Sequence, residues 1–331
     1  MADAHIYINT TGLAMADLMV VTGEALSSYG FGDGHPFGPD RFYAFQRKYR
    51  ELGLSQQVTE EQPTMASQDI IERFHTHEYV ELVKSRSITG DGFLDGGDTP
   101  AFRGSYEAAS LVVGSTVSAT EAIMQGRCKR AFIPIAGLHH ARRNHAAGFC
   151  VFNDCGVVIE TLLNQYGLER VAYVDIDAHH GDGVFYGFED DPRVLFADIH
   201  EDGHYLYPGT GSIEETGRGA ATGMKLNLPA PPDSGDDIFD LLWIKVEQYL
   251  VQHQPQFIIL QAGADSVDGD PITHMRFSAS SHARAARSLC AIADQYASGR
   301  LLILGGGGYN RDNLAAAWNG IIQSVLEYQR D

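Results

Sequence analysis

The sequence has no CxxC pair, no run of five or more basic residues and no apolar stretch long enough to span a membrane. We predict that its four cysteines are buried free thiols, because their neighbours are apolar: Cys128, Cys150, Cys155 and Cys290. The first residues carry neither the basic nor the apolar segment of a secretory signal. We therefore predict a cytoplasmic protein without membrane contact.

Basic side chains are scarce, since 24 Lys and Arg stand against 43 Asp and Glu, for a formal net charge of −19. This balance excludes a protein that binds nucleic acid by neutralising phosphates, because such proteins carry clustered positive charge. Most of the acid excess serves solubility, although it also suits a cationic substrate. With 331 residues, 44% of them hydrophobic, the chain can bury a large core.

Short apolar segments alternate with longer helical patterns, which predicts a doubly wound, mostly parallel α/β sheet with helices on both faces. The predicted strands are His5–Asn9, Ala131–Ile135, Val171–Asp177, Val194–Ile199, Phe257–Gln261 and Leu301–Leu304. The predicted helices are Tyr106–Met124, Cys155–Tyr166, Asp237–Gln252, Ser281–Tyr296 and Asp312–Tyr328. No repeat or linker divides the chain, so we predict one domain over residues 1–331.

Polar residues collect directly after four of the predicted strands, where ligands bind in open α/β sheets. These segments are Gly137–His140, Asp175–Gly183, Gly263–Asp265 and Gly305–Asn310. Scattered surface charge would not follow the strand ends in this way. The sequence therefore predicts one site at the carboxyl edge of the sheet.

Asp177, His179 and Asp265 form the predicted metal site. Asp177 and His179 are two residues apart, so in extended geometry they point to the same side. Three protein ligands with an open fourth position are typical of a catalytic metal. The alternative is that Asp177 caps a helix and His179 is a core histidine, but the crowding of polar residues around them favours the metal.

A binuclear site would need further acids two residues after His179 and after Asp265. Those positions are Gly181 and Val267, which cannot coordinate, so we predict a mononuclear site. Nitrogen and oxygen ligands suit Zn²⁺, while Fe²⁺ or Co²⁺ would fit as well.

Adjacent His139 and His140 are predicted to supply a general base and a second polar group, unless they are a coincidental pair on a loop. Asp175 and Asp182 are the candidates to orient them. The run Gly305–Gly308 does not match a phosphate loop, because its spacing differs and no lysine follows. It is better suited to present the hydroxyl of Tyr309 to a developing oxyanion.

Together these motifs are specific enough to compare with a known family. They are GHPFGPDR near the start, FHTHEYV (74–80), GLHHARRNHAAGFCVFND (137–154), VDIDAHHGDG (174–183), YPGTGS (207–212), AGADSVDGDP (262–271) and GGGGYN (305–310). In this order they resemble the zinc-dependent histone deacetylase superfamily, which includes bacterial acetoin-utilization deacetylases and acetylpolyamine amidohydrolases.

The resemblance implies an arginase-like fold and hydrolysis of an acyl-amide on a lysine-like amine. It implies Zn²⁺ on Asp177, His179 and Asp265. His140 would be the general base and later acid, and His139 its electrostatic neighbour. The carboxylate partners of His139 and His140 would be Asp175 and Asp182 respectively, and Tyr309 would be the oxyanion donor.

The resemblance also implies substrate-binding residues and a structural K⁺ site. The tunnel residues would be Gly148, Phe149 and Tyr207, with Asp98 binding the substrate backbone at the rim. The K⁺ site would use Asp175, Asp177, His179 and Asp198. Two positions depart from the family pattern, since Asp198 replaces a common serine and Tyr207 replaces a phenylalanine.

The substrate is left open between an acetylated lysine in a peptide or protein, an acetylated polyamine and another acyl-amide. The oligomeric state is also open. A binuclear ureohydrolase and an inactive acyl-lysine-binding protein are the rival functions.

Overall fold

The computed structural model describes residues 16–32 and 34–330. The predicted strand His5–Asn9 lies outside these residues. No helix in the described part of the chain is long and apolar enough to cross a membrane.

The described residues form one sheet of eight strands that pair in parallel throughout. In chain order the strands are β1 Ala16–Val21, β2 Thr59–Glu61, β3 Cys128–Ile133, β4 Val171–Asp175, β5 Val194–Glu201, β6 Lys225–Ala230, β7 Phe257–Gln261 and β8 Leu301–Leu304. Their order across the sheet is β2-β1-β3-β8-β7-β4-β5-β6. The predicted α/β fold with a parallel sheet is confirmed.

Nine α-helices connect the described strands or follow them. They are α1 Asp40–Glu51, α2 Gln68–Ile71, α3 His77–Thr89, α4 Ser105–Met124, α5 Asp154–Glu160, α6 Asp182–Gly187, α7 Asp236–His253, α8 Ala279–Tyr296 and α9 Arg311–Tyr328. A π-helical turn, Thr161–Gln165, continues α5. Short 3-10 segments cover Glu24–Ser28, Leu54–Gln56, Gly219–Ala221 and Ala264–Ser266.

Burial on both faces explains the apolar composition of the central strands. Every residue of β4, β7 and β8 is buried, as expected for parallel strands covered by helices. Most of the helices form two packed groups, with α1, α7, α8 and α9 in one and α3, α4 and α5 in the other. All four cysteines are buried free thiols, as predicted.

The predicted bounds of the long helices and strands lie within a few residues of the observed ones, although some ends differ. The predicted strand Ala131–Ile135 instead spans Cys128–Ile133, and Val171–Asp177 ends at Asp175. Asp177 and His179 therefore lie in a turn beyond the strand, so the premise of extended geometry was wrong. Strands β1, β2 and β6 and helices α1, α2, α3 and α6 were not predicted.

The sheet order brings the chemically active segments together. β3, β8, β7 and β4 are consecutive neighbours, and each is followed by one of the four polar segments. The register sets Asp175 beside Gln261, and Gln261 beside Leu304. The carboxyl ends of four strands thus meet at one edge.

Candidate metal centre and active site

Asp177, His179 and Asp265 converge at this edge with their candidate ligand atoms within 4.8 Å of one another. His179 Nδ1 lies 3.0 Å from Asp177 Oδ1 and 3.2 Å from Asp265 Oδ2. The turn is held by the His179 backbone N–H, which donates to Asp177 Oδ1. Asp265 is fixed from the other side, since the Ala178 N–H donates to its Oδ1 at 2.9 Å.

The residues present fit a divalent cation. All three side chains are buried, and Asp265 Oδ2 has no hydrogen-bond donor among the described residues. Burial and the charge of Asp177 raise the pKa of Asp265, because the two carboxylates lie close together and away from water. A Cβ atom on Gly307 would lie only 2.1 Å from Asp265 Oδ2, so the backbone there passes too close for any other residue.

The number of available ligands favours a single ion. No second group of three such side chains occurs among residues 16–32 and 34–330. Gly181 and Val267 occupy the positions where a second metal would need carboxylates. The described residues therefore offer no ligands for the second metal ion that a binuclear ureohydrolase would need.

The two histidines lie side by side, each with its own carboxylate. His139 Nδ1 donates to Asp175 Oδ2 at 2.8 Å, and His140 Nδ1 donates to Asp182 Oδ1 at 2.7 Å. Their Nε2 atoms are 3.1 Å apart. A carboxylate at Nδ1 thus fixes the orientation of each imidazole, and the two Nε2 atoms face each other.

The surroundings of the two histidines push their pKa values in opposite directions. Burial lowers the pKa of His140 to about 4, and the charge of His139 acts in the same direction. Burial also opposes protonation of His139, but Asp175 and Asp177 outweigh it and raise its pKa to about 9. These surroundings favour a neutral His140, which can accept a proton, and a protonated His139. Such a pair can divide the work, with one histidine as the base and the other as a positive charge.

Tyr309 follows the glycine run and points its ring into the cavity. Its backbone N–H donates to Asp270 Oδ2 at 2.7 Å, and its ring packs edge-on against Phe149. Burial and the charge of Asp265 raise the pKa of its hydroxyl, so the group remains a proton donor at neutral pH.

A cavity of about 280 Å³ leads to these groups. Asp98, Gly148, Phe149 and Tyr207 line it together with His139, His140, Asp177, His179 and Tyr309. Asp175, Asp182 and Asp265 lie behind this lining.

The backbone of the tunnel wall is tightly constrained at Gly148 and Phe149. A Cβ atom on Gly148 would lie 2.3 Å from His140 Cδ2, so only glycine fits. Phe149 has a φ of 67°, which strains a residue with a side chain. Tyr29 and Thr99 hold it there through hydrogen bonds to its carbonyl and from its N–H.

Asp198 lies beside Asp175 in the register of β5 and β4. Its two oxygens accept hydrogen bonds from the Gly181 N–H and from His200 Nδ1, both at 2.8 Å. The side chain is fully buried. Asp198 and Asp175, two of the four residues of the predicted K⁺ site, are thus neighbours, and the K⁺ site itself stays a prediction.

The sequence reasoning missed several residues that support the site. The Asp154 carboxylate accepts hydrogen bonds from the N–H groups of Gly137 and Leu138, which holds the loop before the histidines. Arg41 donates to the carbonyls of Gly306 and Gly308 and is completely buried. Each residue ends a motif that carried the family resemblance, GHPFGPDR for Arg41 and GLHHARRNHAAGFCVFND for Asp154, but no role was predicted for either.

Comparison with known proteins finds similarity to histone deacetylases and to related proteins of bacteria and archaea. A model of the histone deacetylase domain matches residues 35–325. The acetoin utilization protein AcuC of Bacillus subtilis is 35% identical over 89% of this chain and 78% of its own length. A probable deacetylase of Archaeoglobus fulgidus is 36% identical over 89% of this chain and 82% of its own. Histone deacetylase 19 of Arabidopsis thaliana is 34% identical over 88% of this chain but only 59% of its own.

Proposed function

The chain belongs to the histone deacetylase family and is a deacetylase, and from this premise we propose that it hydrolyses the acyl-amide of acetyl-lysine with a single zinc ion. The observation that carries the proposal is the meeting of three ligands, two carboxylate-backed histidines and one tyrosine hydroxyl at the base of one tunnel. Each alone has a structural explanation, but their convergence fits amide hydrolysis.

Asp177, His179 and Asp265 would hold the metal, and the donor set of two carboxylates and one imidazole suits Zn²⁺, with Fe²⁺ or Co²⁺ as alternatives. Such an ion, when bound, polarises the amide carbonyl and lowers the pKa of a water from about 15.7 towards 7.

The side chains of the site then have separate roles in the reaction. His140, neutral at Nε2, accepts the proton of the attacking water, while its Nδ1–H keeps donating a hydrogen bond to Asp182. The Tyr309 hydroxyl donates a hydrogen bond to the developing oxyanion. His140 returns the proton to the leaving amine nitrogen. His139, held as a cation by Asp175, stabilises negative charge beside them.

The tunnel favours an acylated side chain that ends in a backbone at the rim. Phe149 and Tyr207 would enclose the methylene chain, and Asp98 would accept a hydrogen bond from the substrate backbone N–H. An acetylated polyamine is the second candidate, since the protein has a net charge of −19 and Asp95 lies next to Asp98 on the rim. A cytoplasmic location and a structural K⁺ are part of the same proposal.

A panel of substrates with and without a metal chelator tests this function. We expect hydrolysis of an acetyl-lysine peptide, its loss in chelator, and its return with Zn²⁺ but not with Mg²⁺, which prefers an all-oxygen octahedral site. Longer acyl-lysine peptides and acetylpolyamines complete the panel. Faster turnover of the polyamines would favour the second candidate, and no hydrolysis of any amide would leave only the acyl-lysine-binding alternative.

The two histidines provide a second test. His140→Ala is expected to reduce kcat more than His139→Ala, because it removes the acceptor of the proton rather than its charged neighbour. General-base catalysis contributes about 10²–10⁴-fold, which sets the scale of the loss. The steady-state rates of both variants at full metal occupancy decide the ranking, and the opposite order would exchange the two roles.

A further inference from the structure

Gln261 lies beneath the floor of the tunnel and has no place in the chemistry above. It is the last residue of β7 and its side chain is fully buried. The other four residues of this strand are Phe257, Ile258, Ile259 and Leu260. A buried amide at the end of an apolar strand must find hydrogen-bond partners, and these partners define what it does.

The hydrogen bonds of Gln261 fix the orientation of its amide. Oε1 accepts from the Gly263 N–H at 2.7 Å. Nε2 donates to Asp177 Oδ2 at 2.8 Å and to the Gly137 carbonyl at 3.2 Å. The reversed amide would set Oε1 against the Asp177 carboxylate and lose all three bonds. The donor therefore faces Asp177.

This donor distinguishes the two oxygens of Asp177. Oδ2 accepts from Gln261 and from the Gly307 N–H at 2.9 Å, so neutral groups occupy it. Oδ1 faces His179 Nδ1 at 3.0 Å, on the side where the ligand atoms meet. Gln261 thus holds the carboxylate with one particular oxygen turned towards His179.

Gln261 also supports the backbone that forms the tunnel floor. A Cβ atom on Gly306 would lie 2.5 Å from Oε1, and one on Gly137 would lie 3.1 Å from Cγ. The ends of β8 and β3 therefore pack directly on this side chain. Its contacts with Asp177, Gly137 and Gly306 join three strand ends at one point.

We propose that Gln261 is a positioning residue that orients the Asp177 carboxylate for metal binding, an inference that rests on the proposed role of Asp177 as a ligand. Residues that hydrogen-bond to metal ligands are worth about 10–100-fold in metal affinity. Gln261 is expected to contribute on this scale without touching metal or substrate.

Gln261→Met tests the role, because methionine has about the same length but cannot donate to Asp177. Zn²⁺ titrated against a competing chelator should give an apparent Kd about 10–100-fold weaker than that of the unchanged protein. Gln261→Asn keeps the amide but is one methylene too short, and it should weaken binding similarly. This second variant covers the case in which methionine is not tolerated.

Thermal unfolding separates positioning from simple stability. In excess chelator the Tm reports the fold alone, and the rise in Tm on adding Zn²⁺ reports binding to the folded state. Gln261→Met should reduce that rise. The matched control Asn319→Leu removes another buried amide, which donates to the carbonyls of Phe45 and Ala315. It should lower both Tm values and leave the rise and the Kd unchanged.

Unchanged Zn²⁺ affinity in both Gln261 variants, whatever their Tm in chelator, would overturn the inference. If the unchanged protein itself bound no Zn²⁺, the proposed function would fail, and the role of Gln261, which rests on it, would fail with it. Normal binding and turnover in that protein, together with normal affinity in the variants, would leave the function in place and remove only this role.

Discussion

Asp265→Asn is expected to leave the chain folded but unable to retain its metal, and deacetylase activity should fall with the metal content. The Oδ1 oxygen accepts from the Ala178 N–H, and an asparagine oxygen can keep that bond. The amide NH₂ then replaces Oδ2, the buried oxygen that lies 3.2 Å from His179 Nδ1 and has no donor in the described part of the chain. A donor would thus face the cation, and one of two carboxylate charges would be lost.

The loss should exceed the roughly 10–100-fold change in affinity caused by altering a partner of a ligand, because a ligand itself is removed. Elemental analysis of the purified protein measures metal per chain, and circular dichroism measures the fold. Asp236→Asn is the matched control, since Asp236 accepts from the Ser278 N–H and is not among the residues that line the tunnel. It should retain metal and turnover. A full metal complement in Asp265→Asn would show that Asp265 is not a ligand.

The fold and the position of the site could be predicted because their signals are local. The apolar runs of β7 and β8 are continuous, since both faces of these strands are buried, and both predicted ranges were right. The chemistry follows directly after such strands, so a rule about strand ends located it. The neighbouring order β3-β8-β7-β4 then brings the segments together.

The edge strands could not be predicted from hydrophobicity. β2 has the sequence Thr-Glu-Glu and is mostly exposed, and its pairing with β1 decides its conformation. β6 contains Lys225, whose buried amine donates to the carbonyls of Asp191 and Val194. Such a lysine is stable in a strand only because of contacts that lie far away in sequence.

The supporting residues of the site were missed for a related reason. Arg41 and Gln261 lie 220 residues apart, yet both hold the glycine run, one through the carbonyls of Gly306 and Gly308 and the other through packing on Gly306. Their polarity is visible in the sequence, but their partners are not. Residues that touch substrate follow recognisable patterns, whereas those that hold them depend on tertiary packing.

Tyr309→Phe is expected to lower kcat by about 10²–10³-fold while metal content stays unchanged, because it removes one oxyanion donor and no ligand. The ring of the variant keeps its packing against Phe149 and Phe37 and its position beside Arg41. The backbone N–H also keeps its bond to Asp270. Only the hydroxyl disappears, so the change isolates its contribution to the transition state.

Steady-state kinetics on an acetyl-lysine peptide should show the loss in kcat with KM little altered, since the hydroxyl acts mainly on the charge that develops during the reaction. Tyr249→Phe is the control, because it removes a buried hydroxyl that donates to the Met224 carbonyl outside the tunnel. Its turnover should equal that of the unchanged protein. Unaltered kcat in Tyr309→Phe would assign oxyanion stabilisation to the metal and His139 alone. A loss confined to KM would instead make Tyr309 a substrate-binding residue.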